Sequence, residues 1–189
     1  MKDNDLIALF SSQLEAALAM AGWSYTVIQS QQPTQQGMPS APFVFFEKLF
    51  DHEYGWPMSS GYTLNSVAPP GMALPDFQQA EKQWVESTFQ VSAMVIQDPV
   101  DLSIPTPSDV CHYLKQYLNA RQTIYAFSRA GAPILRITDI RNPKFTDDRM
   151  LIEANPNFDV VLQHLRIMDF SVPGSDIVVG DVYGISEGV

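Results

Sequence analysis

A chain of 189 residues, 46% hydrophobic and 17% charged, carries enough apolar surface for one folded core and is short for two, which excludes disorder as its general state. Its formal net charge of −10 is uneven, with 3 basic and 10 acidic side chains in residues 1–100 against 8 and 11 in residues 101–189. No cluster of Lys and Arg is present to replace the counterions around phosphates, so specific DNA or RNA binding is disfavoured.

Asp3 or Asn4 is placed to cap a first helix, with Leu6, Ile7, Phe10, Leu14, Ala17, Leu18 and Ala21 as its apolar stripe and Gly22 as its stop. Ser24–Gln29 reads as a short strand. The next segment holds five glutamines in eight residues (Gln29 to Gln36), and Pro33, Gly37, Pro39 and Pro42 keep it from becoming a helix. Phe43–Phe50 and Gly61–Leu64 are expected to pair as a protruding hairpin, with Tyr54, Gly55, Trp56 and Pro57 at its tip. Residues 65–77 form another loop around Pro69, Pro70, Gly71 and Pro75.

Residues 81–97 are the longest strand candidate. Val85, Ser87, Phe89, Val91, Ala93 and Val95 make a mostly apolar face, alternating with the mixed face of Trp84, Glu86, Thr88, Gln90, Ser92 and Met94. A second helix opens at Thr106, with Pro107 in its first turn and Asp109 completing a capping box. Its stripe is Val110, Tyr113, Leu114, Tyr117 and Leu118. A short helix at 122–130 is stopped by Gly131. Strands are expected at 134–140, 150–153, 157–172 and 176–183. Runs of strands separated by two main helices indicate an α+β domain over 1–189, with a mostly antiparallel or mixed sheet and long loops. No apolar segment is long enough to span a membrane, and the opening Met1-Lys-Asp-Asn-Asp carries no secretory pattern.

Catalytic chemistry has no seat in this pattern. Gly184-Ile-Ser186-Glu-Gly188 fits the letters of a nucleophile elbow, but that motif needs a helix and further triad members after it, and only Val189 follows. His52, His112 and His164 are scattered. Asp51, His52 and Glu53 are neighbours in a run, and adjacent strand residues point to opposite faces instead of converging on one ion. Cys111 beside His112 lacks ligand spacing and reads as a small buried residue, while its being the single cysteine excludes an internal disulfide. Asp147 and Asp148 read as a solvated turn. No cofactor, no metal and no enzyme activity are expected.

Contact chemistry is what remains. Phe43, Phe45, Phe46, Phe50, Tyr54, Trp56 and Tyr62 concentrate aromatic area in one stretch. Phe43 and Phe45 are expected in the core, and Phe46 and Phe50 on the opposite face. The candidate protein interface comprises Gln29, Gln31, Gln32, Pro33, Gln35, Gln36, Phe46, Phe50, Tyr54, Trp56 and Pro57.

The first amphipathic helix, Val27-Ile-Gln29, Gln32-Pro33 and Pro39-Ser-Ala-Pro-Phe-Val44 together resemble the tail or neck terminator proteins of long-tailed bacteriophages. The Phe89–Val95 strand before a helix and the late Asn157–Leu162 strand fit the same order. That resemblance implies a homo-oligomeric, hexameric ring that caps the tail tube, stops its polymerisation and meets the head-side connector or neck protein, with the sheath as a further contact. DNA would pass through without specific binding, and acidity suits such a channel. The location implied is the virion tail or neck, assembled in the host cytoplasm, with no membrane. Two alternatives stay open: another head-completion, sheath-adaptor or neck component, and a small hydrolase built from Asp51, His52, Glu53 and His164.

Overall fold

Apolar residues at helical spacing fold the N-terminal segment into α1 (Asp3–Ala21), burying Leu6, Phe10, Leu14, Ala17 and Leu18. The computed structural model describes residues 1–30, 42–59, 63–64, 77–95, 100–101, 103–146 and 152–172. The helix starts one residue earlier than Asp3 or Asn4 as caps would place it: Lys2 is the N-cap, and its N–H donates to the Asp5 carboxylate at 3.3 Å. Gly22 ends the helix at φ 73°, where a side chain would be strained. Its N–H donates to Ala19, and that of Trp23 to Leu18.

The strands are β1 (Thr26–Gln29), β2 (Phe43–Ser59), β3 (Thr63–Leu64) and β4 (Phe77–Met94), then β5 (Ile134–Ile137), β6 (Lys144–Thr146), β7 (Ile152–Ala154) and β8 (Asn157–Val172). Between β4 and β5 lie α2 (Pro107–Leu118) and α3 (Arg121–Arg129). The main sheet runs β1-β2-β4-β8-β5, with β3 attached to β4, and β6 pairs with β7 separately. β1 is parallel to β2, Thr26 opposite Phe43 and Gln29 opposite Phe46, whereas β5 is antiparallel to β8. The α+β class and mixed sheet are as expected. The capping box of α2 also forms, with Asp109 N–H on Thr106 Oγ1 at 3.1 Å and Thr106 N–H on Asp109 Oδ2 at 3.0 Å.

The hairpin expectation is corrected. β2 does not turn at Tyr54–Pro57 but continues to Ser59, and the partner of Thr63 and Leu64 is β4, at Gln78 and Phe77. Gly55 takes the positive φ of 75° that a tip would have used, and the strand absorbs it as a local irregularity without reversing. The expected strand at 176–183 lies outside the described residues.

The chain divides into two compact units, Met1–Gly55 with Trp84–Arg166, and Trp56–Gln83 with Ile167–Val189. In the first unit, every second residue of three strands faces the helices. Val44 and Phe46 of β2, Phe89, Val91 and Ala93 of β4, and Phe158, Val160 and Leu162 of β8 join Val110, Leu114 and Leu118 of α2 and Phe127 of α3. Phe10 stands at the centre. Its ring stacks on Phe89 at 4.8 Å, meets Phe46 edge-on at 5.5 Å and lies 6.3 Å from Phe127.

Removing the Phe10 ring therefore opens a cavity bordered by four elements. Phe10→Ala is expected to cost about 3–5 kcal/mol in urea denaturation, whereas Phe50→Ala, at a position 59% exposed, is expected to stay within about 0.5 kcal/mol of the parent.

Candidate functional site

The core face of the first unit runs out into a polar cluster, and the period of the strands says where. Two residues beyond Phe89 stands Ser87, two beyond Phe46 stands Lys48, and beyond Leu162 come His164 and then Arg166. Asp51 gathers them. Its Oδ1 accepts from Ser87 Oγ at 2.6 Å, and its Oδ2 lies 2.7 Å from Lys48 Nζ and 3.0 Å from Arg166 Nη2. Arg166 also reaches Glu53 at 2.8 Å, and Lys48 reaches Asp3 of α1 at 3.0 Å. One carboxylate thus ties β2 to β4 and β8, with α1 joined through Lys48.

Ser87, His164 and Asp51 are the residue types of a nucleophilic triad, so their protons decide what the cluster can do. The one hydroxyl proton of Ser87 goes to Asp51 Oδ1, so Ser87 Oγ faces His164 Nε2 at 3.0 Å as an acceptor. That places the imidazole proton on Nε2 and leaves Nδ1 a bare lone pair, buried and without a hydrogen-bond partner. In a working triad the base receives the hydroxyl proton and the acid orients the base through Nδ1. Here both relations are reversed, and Ser87 and His164 are fully buried. The arrangement suits a clasp. An orphaned buried acceptor costs about 1–3 kcal/mol, which a charge-assisted bond such as Ser87 to Asp51 is large enough to offset.

The same geometry sets the ionisation states. Burial comes first in holding His164 below its ordinary 6.5; the positive charges of the N-terminal amine, Lys48 and Arg166 add to it, against the opposing pull of Asp51. Burial alone would raise Asp51. The hydrogen bonds from Lys48 and Ser87, with the charges of Lys48 and Arg166, outweigh it and hold the carboxyl below 3.8. Cys111, fully buried on α2, is pushed up to about 12 by burial, as an inert packing residue would be.

Of the suggested hydrolase set, Asp51, Glu53 and His164 share this cluster, while His52 is exposed. His112 is exposed on α2, and Asp147, Asp148 and Ser186 lie outside the described residues. Among the described residues, no group of His, Cys, Asp and Glu has the arrangement of a metal site.

The expected interface residues separate sharply. Phe46 is 1% exposed and packs against Phe10 and Phe89, so its place on an outward face is corrected: Val44 and Phe46 are the residues of that stretch directed at the helices. Phe50 is exposed, Tyr54 is half-buried, and Trp56 and Pro57 are exposed within β2. Gln29 is half-buried on β1; Gln31, Gln32, Pro33, Gln35 and Gln36 lie outside the described residues.

In the second unit the expected contact residue Trp56 is 92% exposed, and residues absent from the sequence expectation join it: Met58 is exposed two positions on, and along β8 Ile167, Met168 and Phe170 are all exposed. Consecutive strand residues point to opposite faces, so Ile167 and Met168 together leave apolar surface on both sides of β8. A signal for this was present, since Leu165–Phe170 shows no apolar–polar alternation.

A family model described as E217 gateway protein gp29 matches residues 5–174. That description is of a phage head–tail gateway protein, in keeping with a neck or connector family and not specific to tail terminators. No curated protein matches the chain.

The clasp has a pH signature. Because His164 is neutral in the fold below the pH at which the unfolded chain takes up its proton, the unfolded state binds more protons as pH falls under 6.5, and stability falls with it. Asp51 contributes above 3.8, and its share is lost as pH drops through its lower folded value. Thermal unfolding of the parent between pH 6.5 and about 5 is expected to show a slope of up to about 1.4 kcal/mol per pH unit from this group. His164→Gln, which retains a donor toward Ser87 and does not titrate, is expected to flatten it; an unchanged slope contradicts the assignment.

Proposed function

We propose a structural role at the phage head–tail junction for this chain, which belongs to the family of the E217 gateway protein gp29. The finer reading is a ring, with six copies as the expected order, seated on the end of the tail tube. There it stops tube polymerisation and offers its other side to the head-side connector, with the sheath as a further neighbour. It works in the virion neck after assembly in the host cytoplasm, and DNA passes through without specific binding.

The observation that carries this reading is the apolar surface of the second unit, exposed at Trp56, Met58, Ile167, Met168 and Phe170. A folded monomer rarely leaves such residues in water on both faces of a strand, and in an assembly protein they become contact area. The contact set proposed from sequence then comprises Gln29, Gln31, Gln32, Pro33, Gln35 and Gln36 with Phe50, Tyr54, Trp56 and Pro57. Low cation content supports the passage of DNA, because few Lys or Arg side chains are available to hold phosphates. The clasp at Asp51 gives this function a rigid base and no chemistry of its own.

A phage lacking this gene separates the parts of the proposal. Overlong tail tubes and unjoined, DNA-filled heads are expected in its lysates by electron microscopy. Tubes of normal length beside unjoined heads would remove the capping role and leave head–tail joining. Normal virions would overturn both. Complementation with Trp56→Ser/Phe170→Ser is expected to restore few joined particles, although the purified variant unfolds within a few degrees of the parent.

A further inference from the structure

α3 presents arginines that, among the described residues, no carboxylate pairs with. Among the described residues, Lys48, Lys115, Arg141 and Arg166 are each paired with carboxylates, whereas Lys2, Lys82 and the exposed Arg121, Arg129 and Arg136 have no ion pair. Arg121 and Arg129 belong to α3, which has no acidic residue, and Arg136 lies on β5, the terminal strand of the sheet, which packs against α3. Arg121, Ile124, Tyr125, Ser128 and Arg129 fall within one side of the helix at 100° per residue, opposite the buried Thr123 and Phe127. Ile124 and Tyr125 of the helix side are exposed, as is Leu135 on β5.

Local energetics do not explain this arrangement. Arg121 occupies the first position of α3, where the helix dipole disfavours a cation. Its guanidinium is nevertheless held in place, 5.3 Å above the Tyr125 ring and 3.1 Å from the Tyr125 hydroxyl. An ordered arginine on an exposed tyrosine, with Ile124 on the same side of the helix, has the composition of a protein-binding anchor more than of a phosphate contact.

A second copy of the chain carries the matching surface. α1 itself contains no Lys or Arg, although its N-cap Lys2 is exposed and bonds to Asp5, and its exposed side includes Asn4, Asp5, Ala8, Ser12, Glu15, Ala16, Ala19 and Met20. Asp5 and Glu15 are ten positions apart, about 15 Å along a helix, against about 12 Å for the eight positions from Arg121 to Arg129. The small residues between them allow close approach. α2 packs against both α1 and α3, so the two faces belong to one helical layer.

We propose that the Arg121, Tyr125 and Arg129 face of one subunit docks on the Asp5 and Glu15 face of the next, giving a head-to-tail contact. Such a contact is heterologous and closes into a ring when its rotation allows. This inference rests on the ring reading above and adds the surface that makes the ring.

A charge exchange tests it, read by size-exclusion chromatography with light scattering. Arg121→Glu/Arg129→Glu makes both faces acidic. Asp5→Asn/Glu15→Lys makes the second face cationic, and the amide oxygen introduced at position 5 still accepts from the Lys2 N–H. Each variant alone is expected to self-associate roughly tenfold or more weakly than the parent. An equimolar mixture of the two is expected to recover the parent's oligomer. Rings from either variant alone at parental concentration, or a mixture that stays dissociated while both variants keep the parental circular dichroism, would overturn this contact and leave the ring reading intact. A parent protein that is monomeric throughout would remove the ring itself, and this contact with it. Retardation of a random-sequence DNA duplex by the parent, lost in Arg121→Glu/Arg129→Glu, would assign the face to nucleic acid and overturn the proposal.

Discussion

The first unit depends on one aromatic contact, the stacking of Phe10 on Phe89. A single ring from α1 reaches β4 at 4.8 Å, β2 through Phe46 and α3 through Phe127, so four elements meet at one side chain. The rest of this unit is placed by what surrounds that contact. Toward one end of the same strands the apolar face becomes the Asp51 cluster, and on the solvent side of the same helices lie the acidic and cationic faces.

The Asp51 cluster shows why residue types alone do not make a site. Serine, histidine and aspartate stand within hydrogen-bond reach, yet the proton of Ser87 is already committed to Asp51 and the free nitrogen of His164 faces a closed interior. The gain is mechanical. Asp51 collects Ser87, Lys48 and Arg166, and the alternative of leaving a carboxylate unpaired among them would cost more than the bonds yield. A firmly tied unit of this kind is a sound base for a subunit that bears load in an assembly. Its exposed parts, apolar in one unit and charged in the other, are the surfaces that the proposed role assigns to partners.

Much of the first unit is legible in the sequence because local signals and burial agree there. The stripe of α1, the Thr106–Asp109 capping box and the alternation from Val85 to Val95 each specify one structure by a short-range rule. The hairpin fails because Gly55 and Pro57 look like turn residues while the strand pairing of β2 overrides them, and pairing is non-local. Phe46 is misplaced outward because alternation fixes which residues share a face without saying which face the helices cover. The clasp escapes a sequence reading for a related reason: Ser87 and His164 are 77 residues apart, and only the sheet order brings them together. The cationic face is hidden by the net charge of −10, since a total cannot reveal that three arginines on α3 and β5 lack carboxylate partners. Membership of the gateway family extends over residues 5–174 and agrees with the phage reading drawn from the Gln/Pro segment and the strands that follow it.

The proposed role, a subunit that works in contact with copies of itself, draws on a firm α+β unit, exposed apolar and cationic surface, and gateway-family membership. Electron microscopy of the purified chain tests that claim most directly. Closed rings with an open centre are expected at micromolar concentration, thinning to monomers as salt is raised and the charged faces are screened. Monomers at every concentration and salt, or solid particles with no central opening, would contradict it.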